Sequence, residues 1–236
     1  FFSNLFILNI YNRTQHMFRI SLMLALFAPA FAIADAESAI SFGGDYFAAG
    51  NTVETARPGP NEVFLAGEYA TVTKPFQGNV HAMARNVRVH AFVAGNLYAA
   101  GQDILITQTV TGNASLGGYM IEIDNNIGGN LRAGGTNLTL RGTVDGTAIM
   151  TAKNLHISGT IEGDALLNAK NITFGPNAQI KGQITLYQGD HENSAIPSSV
   201  APKDRITVKR DADWEREDHS MPWSFADFFG GIGLES

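Results

Sequence analysis

The sequence predicts an all-β fold: a single-stranded, triangular parallel β-helix with about seventeen residues per coil and eight to nine coils, spanning positions 42–187. Three observations predict it: glycine at a fixed spacing, apolar columns in the same register, and one column restricted to Gly and Ala. Rows of seventeen counted from Gly44 begin Gly44, Asn61, Gly78, Gly95, Gly112, Gly129, Gly146 and Gly163. The next candidate, Gly182, falls two places late, after an insertion near Pro176.

Each column has a physical reading. Nine places into the rows stand Val53, Ala70, Val87, Ile104, Ile121, Leu138, Leu155 and Ile172, and two places later Thr55, Val72, Val89, Ile106, Ile123, Leu140, Ile157 and Phe174. Apolar residues two apart, with polar ones such as Arg88, Glu122 and His156 between them, mark strands with one buried face. Further columns run Phe76, Val93, Val110, Ile127, Val144, Ile161 and Tyr46, Val63, Val80, Leu97, Ala114, Leu131. The corner column Gly50, Gly67, Ala84, Gly101, Gly118, Gly135, Ala152, Ala169 admits only small residues, which suits a tight bend with little room. Two places on come Asn86, Asp103, Asn137, Asn154 and Asn171, residues that tolerate corner geometry and bond neighbouring backbone. Gly78, Gly95, Gly112, Gly129, Gly146, Gly163, Asn137, Asn154 and Asn171 are therefore assigned to corners. Coils stacked about 4.8 Å apart make a rod roughly 40 Å long.

The formal charge of −6 is concentrated at one end, because the stretch from Gln188 onward holds ten acidic and five basic residues. The repeat body is near neutral and carries no basic stripe, which argues against a nucleic-acid partner. Absence of cysteine removes disulfides and thiolate metal sites.

Residues 1–16 read as a mis-called leader. Met17-Phe18-Arg19, the apolar run Ile20 to Phe27 and the small-residue run ending at Ala34 form the three parts of a secretory signal peptide, 17–34; cleavage fits after Ala32 or after Ala34, and Ala34 is preferred because Asp35 then opens a polar stretch. A short segment, 35–41, precedes the repeat. After it, 188–220 reads as a polar linker and 221–236 as an apolar juxtamembrane segment with Trp223, Phe225, Phe228 and Phe229. That segment is too short to span a bilayer, which takes about 20 apolar residues. Two readings fit: a chain truncated before its membrane span, or an amphipathic helix docked on the last coil or at a membrane surface.

No catalytic, cofactor-binding or metal-binding residues are assigned. His81, His90 and His156 fall in three different columns, so they do not stack into a metal site. Asp145, Glu162 and Asp164 lie near one another in adjacent coils, as acids in a polysaccharide-cleaving groove would. The near absence of insertions argues against such a groove. Gly129 to Gly135 lacks the lysine and the helix context of a phosphate loop.

Gly95-Asn96-Leu97-Tyr98-Ala99-Ala100-Gly101, Gly129-Asn130-Leu131-Arg132-Ala133-Gly134-Gly135 and Gly159-Thr160-Ile161-Glu162-Gly163-Asp164 resemble the repeated phrases of the bactofilin, or polymer-forming cytoskeletal, family. The resemblance covers about Phe42 to Tyr187. It implies a right-handed β-helix that associates end to end with no cofactor, and the signal peptide points to an exported, membrane-associated branch. The expected function is thus a non-enzymatic, self-assembling scaffold at the periplasmic face of the bacterial inner membrane. Phe42, Tyr46 and Phe47 at one end, and Ile184 and Leu186 at the other, are its expected polymer interface, through unpaired terminal edges. The alternative is a rigid envelope stalk or a cell-wall polysaccharide-binding module. Exposed aromatics stacked in one column would favour it, and Phe47, Phe64 and Tyr98 share a column interrupted by His81. A carbohydrate-active enzyme is the least favoured reading.

Overall fold

The computed structural model describes residues 38–55, 61–189 and 195–210. The expected leader 1–16, the expected signal peptide 17–34 and the expected juxtamembrane segment 221–236 lie outside the described residues. Strands run in the order β1 (Ser38–Phe42), β2 (Asp45–Glu54), β3 (Glu62–Val72), β4 (Asn79–Val89), β5 (Leu97–Ile106), β6 (Ala114–Ile123) and β7 (Leu131–Leu140). They continue with β8 (Thr143–Val144), β9 (Ala148–Ile157), β10 (Thr160–Ile161), β11 (Ala165–Phe174), β12 (Gln179–Ile180), β13 (Ile184–Gln188) and β14 (Ile206–Arg210). Among the described residues no helix is long and apolar enough to cross a membrane.

The periodicity fixes the stack. Val80 pairs in parallel with Leu97, Leu97 with Ala114, Ala114 with Leu131 and Leu131 with Ala148, so each strand lies one repeat beyond the strand it pairs with. The two-place delay at the insertion appears as Ala165 opposite Ile184. This is a parallel β-solenoid of about eight turns. Each long strand supplies two sides of the triangle. In β5, Leu97 and Ala99 point inward, and so do Ile104 and Ile106, which a straight strand of period two cannot do. The phase switches at a bend where Gly101 sits, and a Cβ there would overlap the Ala84 carbonyl oxygen one coil back. The third side is narrow, with one inward residue per coil: Phe76, Val93, Val110, Ile127 and Val144 pair as single bridges and continue into β8, β10 and β12.

Inside, the side chains stack on their own kind. Val63, Val80, Leu97, Ala114 and Leu131 form one wall, and Val87, Ile104, Ile121 and Leu138 another, all fully buried. The row-start glycines form their own column of backbone bonds, with the N–H of Gly112, Gly129, Gly146 and Gly163 each donating to the glycine carbonyl one coil back at 3.0–3.1 Å. A Cβ on Gly129 would sit 2.8 Å from the Gly112 carbonyl carbon, so this approach needs glycine.

Both ends differ from expectation. At the N-terminal end, β1 turns back through Gly43 and Gly44, both at positive φ, and pairs antiparallel with β2, Ile40 opposite Phe47. Residues 38–41 are therefore strand rather than a short leading segment. At the C-terminal end, part of the expected polar linker is a further coil. Residues 195–210 cross the last turn, Ile180 N–H donates to the Val200 carbonyl at 3.0 Å, and β14 lies parallel on β13 with Ile184 opposite Ile206. The Arg205 guanidinium donates to the carbonyls of Ile180 and Gly182 at 3.1 and 3.0 Å and to that of Lys181. Val200 and Ala201 are buried in the process. Ile184 and Leu186, each 1% exposed, are core residues under this cap and not an open end.

Candidate functional site

A solenoid with no long loop among its described residues offers two kinds of functional surface: its ends and the outward columns of its sides. On the side formed by the first half of each long strand, two outward columns run next to each other.

The first is an amide ladder that the corner assignments did not include. Asn79 Oδ1 accepts from the backbone N–H of Asn96 at 2.8 Å and from its side-chain Nδ2 at 3.1 Å. Asn96 Oδ1 accepts the same pair from Asn113, and Asn113 Oδ1 accepts the Asn130 N–H at 2.8 Å. Asn130 Oδ1 then takes Thr147 N–H at 2.9 Å, and Asp164 takes Gln183 N–H at 2.8 Å. The expected corner asparagines make a sparser ladder, in which Asn171 Nδ2 donates to Asn154 and Asn154 Nδ2 to Asn137, each at 2.9 Å. The two ladders differ in what they protect. Replacing Asn113 by Ala leaves a partly buried backbone N–H on Asn130 unpaired and should cost about 2 kcal/mol, whereas Asn171→Ala removes one exposed bond and should cost under about 1 kcal/mol. Urea denaturation of the two variants checks the contrast.

The second column is aromatic, and His81 does not interrupt it. Ring centroids are 4.8 Å apart for Phe47 and Phe64, 4.4 Å for Phe64 and His81, and 4.9 Å for His81 and Tyr98, with planes within 12° of parallel. An imidazole is a flat ring, and the coil spacing places it at stacking distance from both neighbours. Glu62 ties the two columns together, accepting from Asn79 Nδ2 at 3.0 Å and contacting His81 Nε2 at 3.1 Å.

The other candidate groups are engaged in cross-coil contacts. His90 and His156 bond Thr107 and Thr173, each at 2.9 Å. Of the three neighbouring acids, Glu162 pairs with Lys181 at 2.8 Å and Asp164 holds the Gln183 amide. Glu122, at 2.8 Å, and Asp124 flank Arg141, and the hydrogen bond to Glu122, followed by that to Asp124, raises its guanidinium above the ordinary value. Among the described residues no group of three or more His, Cys, Asp or Glu could hold a metal ion.

At the ends, Phe42 is 79% exposed and Phe47 borders on exposed, while Tyr46 packs partly against the core. The structure thus brings Phe42 and Phe47 to the surface of the N-terminal coil, and it separates them from the buried Ile184 and Leu186. No family model, curated protein or solved structure matches the chain. The fold itself defines the class: a parallel β-solenoid, consistent with the general bactofilin-like structural class and with a structural scaffold.

Proposed function

We propose that this chain is a self-assembling, non-enzymatic β-helical scaffold of the bactofilin type, exported to the cell envelope and tethered at the periplasmic face of the inner membrane. One observation carries the assembly reading. Among the described residues β1 is the outermost strand of the eleven-stranded sheet, and all five of its residues are exposed, with Ile40 at 62%. An edge strand with unpaired backbone groups and apolar side chains is a template for a second chain. A two-fold, antiparallel contact between two β1 strands would bury the same patch on both partners. Export and tethering rest on the signal-peptide pattern and the apolar segment 221–236.

The test is negative-stain electron microscopy of the chain from Asp35 onward over a range of concentration and salt. End-to-end pairs of rods are expected, because the two-fold β1 contact closes on itself and residues 195–210 cover the other end. They should disappear in the double variant Ile40→Asp, Phe42→Asp while circular dichroism stays unchanged. Single short rods from the unaltered chain under all conditions would reject assembly through the described ends.

The stalk or polysaccharide-binding reading draws on the continuous aromatic column. Most ring faces in that column are covered by the next ring, so only its termini offer a face to a ligand.

A further inference from the structure

The aromatic ladder stops at Tyr98, and the amide ladder runs on for two more coils to Asn130. Below Tyr98 the aromatic column continues as Ser115 and then Arg132, paired in register in successive strands. Tyr98 therefore has His81 against one face at 4.9 Å and a serine where the next ring would stand, and it is 41% exposed. In the amide column, Asn96 and Asn113 each donate Nδ2 to the asparagine above, whereas Asn130 Nδ2 donates to no group among the described residues. On the opposite flank the outward column falls to Gly117 and Gly134, so neither supplies a side chain there.

The result is a gap in an otherwise continuous surface. The Tyr98 ring forms one wall and the Arg132 side chain the other, two coils away, or about 9.6 Å. Ser115 lies at its floor. Arg132 is exposed and makes no hydrogen bond or ion pair among the described residues. Arg85, Arg88, Arg141 and Arg205 all have partners on neighbouring coils or backbone. A ring inserted above Ser115 would sit about 4.8 Å from both walls, the spacing at which the ladder stacks its own rings.

We propose that this gap is a binding subsite for a sugar ring bearing a carboxylate, such as a uronic acid unit of an acidic polysaccharide. The C–H face of the sugar packs on the open, electron-rich face of Tyr98. The carboxylate takes the planar fork of Arg132 in a bidentate pair. Asn130 Nδ2 and the Ser115 hydroxyl meet the ring hydroxyls. A simple arene carboxylate shares the flat face and the charge, but it has no hydroxyls to meet that amide and that serine. The subsite does not depend on end-to-end assembly, since it lies on the flank of the rod.

Titration calorimetry of the full chain tests the subsite with three probes: tri-galacturonic acid, its neutral galactose counterpart, and benzoate. The acidic trisaccharide should bind, and the neutral one at least about tenfold more weakly, as expected for loss of a charged hydrogen bond. Arg132→Ala should lower affinity for the acidic trisaccharide by a similar factor. Ser115→Phe is the decisive variant because it supplies the missing ring. It should abolish binding without lowering the melting temperature, which separates blockage from unfolding. No binding of tri-galacturonic acid by the unaltered chain would overturn the proposal, as would undiminished binding in Ser115→Phe. Benzoate binding as tightly as the trisaccharide would overturn the saccharide assignment in favour of aromatic carboxylates.

Discussion

Replacing Gly142 by valine is expected to destabilise the solenoid by more than about 4 kcal/mol and to lower its melting temperature by roughly 10 °C or more. Gly142 turns the chain from the second side of the triangle into β8. Its N–H donates to the Ile123 carbonyl at 3.2 Å, and its own carbonyl accepts from Thr160 at 3.3 Å. A Cβ at this position would overlap the carbonyl carbon and oxygen of Asn125 and lie 3.0 Å from its Cα. All three atoms are backbone of the preceding coil, so no side chain can swing aside. Relief requires two coils to part, and parting them breaks the ladder on every side at that level. Gly43→Ala is the informative contrast. Gly43 has a positive φ of 62°, but nothing lies within 4 Å of the added Cβ, so the cost is the conformational one alone, about 1–2 kcal/mol. Thermal melts followed by circular dichroism should separate the two variants clearly. Equal, small effects would mean that the coils are less closely stacked than described.

Ending the chain at Gly189 is expected to convert a closed C-terminal end into an adhesive one. Residues 195–210 cover Ile180, Ile184, Leu186 and Tyr187, all at 1% exposure or less. Without this cap one face of that apolar layer meets water, together with the outer edge of β13. The expected loss is about 3 kcal/mol or more, since burying one large apolar side chain is worth about 1.5–3 kcal/mol. Sedimentation velocity should show concentration-dependent association that the chain ending at Arg210 does not show through this end. Arg205→Ala, which removes the clamp on three carbonyls but leaves β14 in the chain, should have an intermediate effect. A truncated chain that stays monomeric and equally stable would show that the cap contributes little. Assembly experiments are therefore best read from chains that retain the cap, because a fragment ending near Tyr187 presents a surface the longer chain covers.

The central coils are legible in the sequence because each repeats one local solution. A residue type that fits at Gly95 or Ile104 fits again one repeat on, and the spacing of Gly112 and Ile121 displays it. The same logic explains what the sequence hides. Segment 195–210 stacks on the rod, but Ile206 follows Ile184 five places later than the repeat would put it, so it falls out of register and reads as linker. The Gly43-Gly44 turn is visible as two glycines, yet counting rows from Gly44 hides the reversal that the pair makes. His81 looks like a break when residue class, not ring shape, is compared along the column. Asn79, Asn96, Asn113 and Asn130 recur once per repeat beside the row-start glycines, and that signal could reveal the inner ladder before any coordinates. The placing of Tyr98, Ser115, Asn130 and Arg132 on three successive coils of one side follows only from the register of two adjacent columns, which becomes meaningful once the side they share is known.

The regular stacking of coils also sets how the rod would respond to force. Nearly all of its ladder hydrogen bonds lie along the long axis, so a load spread over a whole end strains three sides at once. A load applied through a single terminus meets only the last coil. It peels that coil away and releases about 55–60 Å of extended chain before the next one is engaged. The same molecule is thus stiff as a strut between two broad contacts and yields in steps when pulled as a thread. β1 at one end and the Arg205 clamp at the other hold the two coils where such peeling would begin.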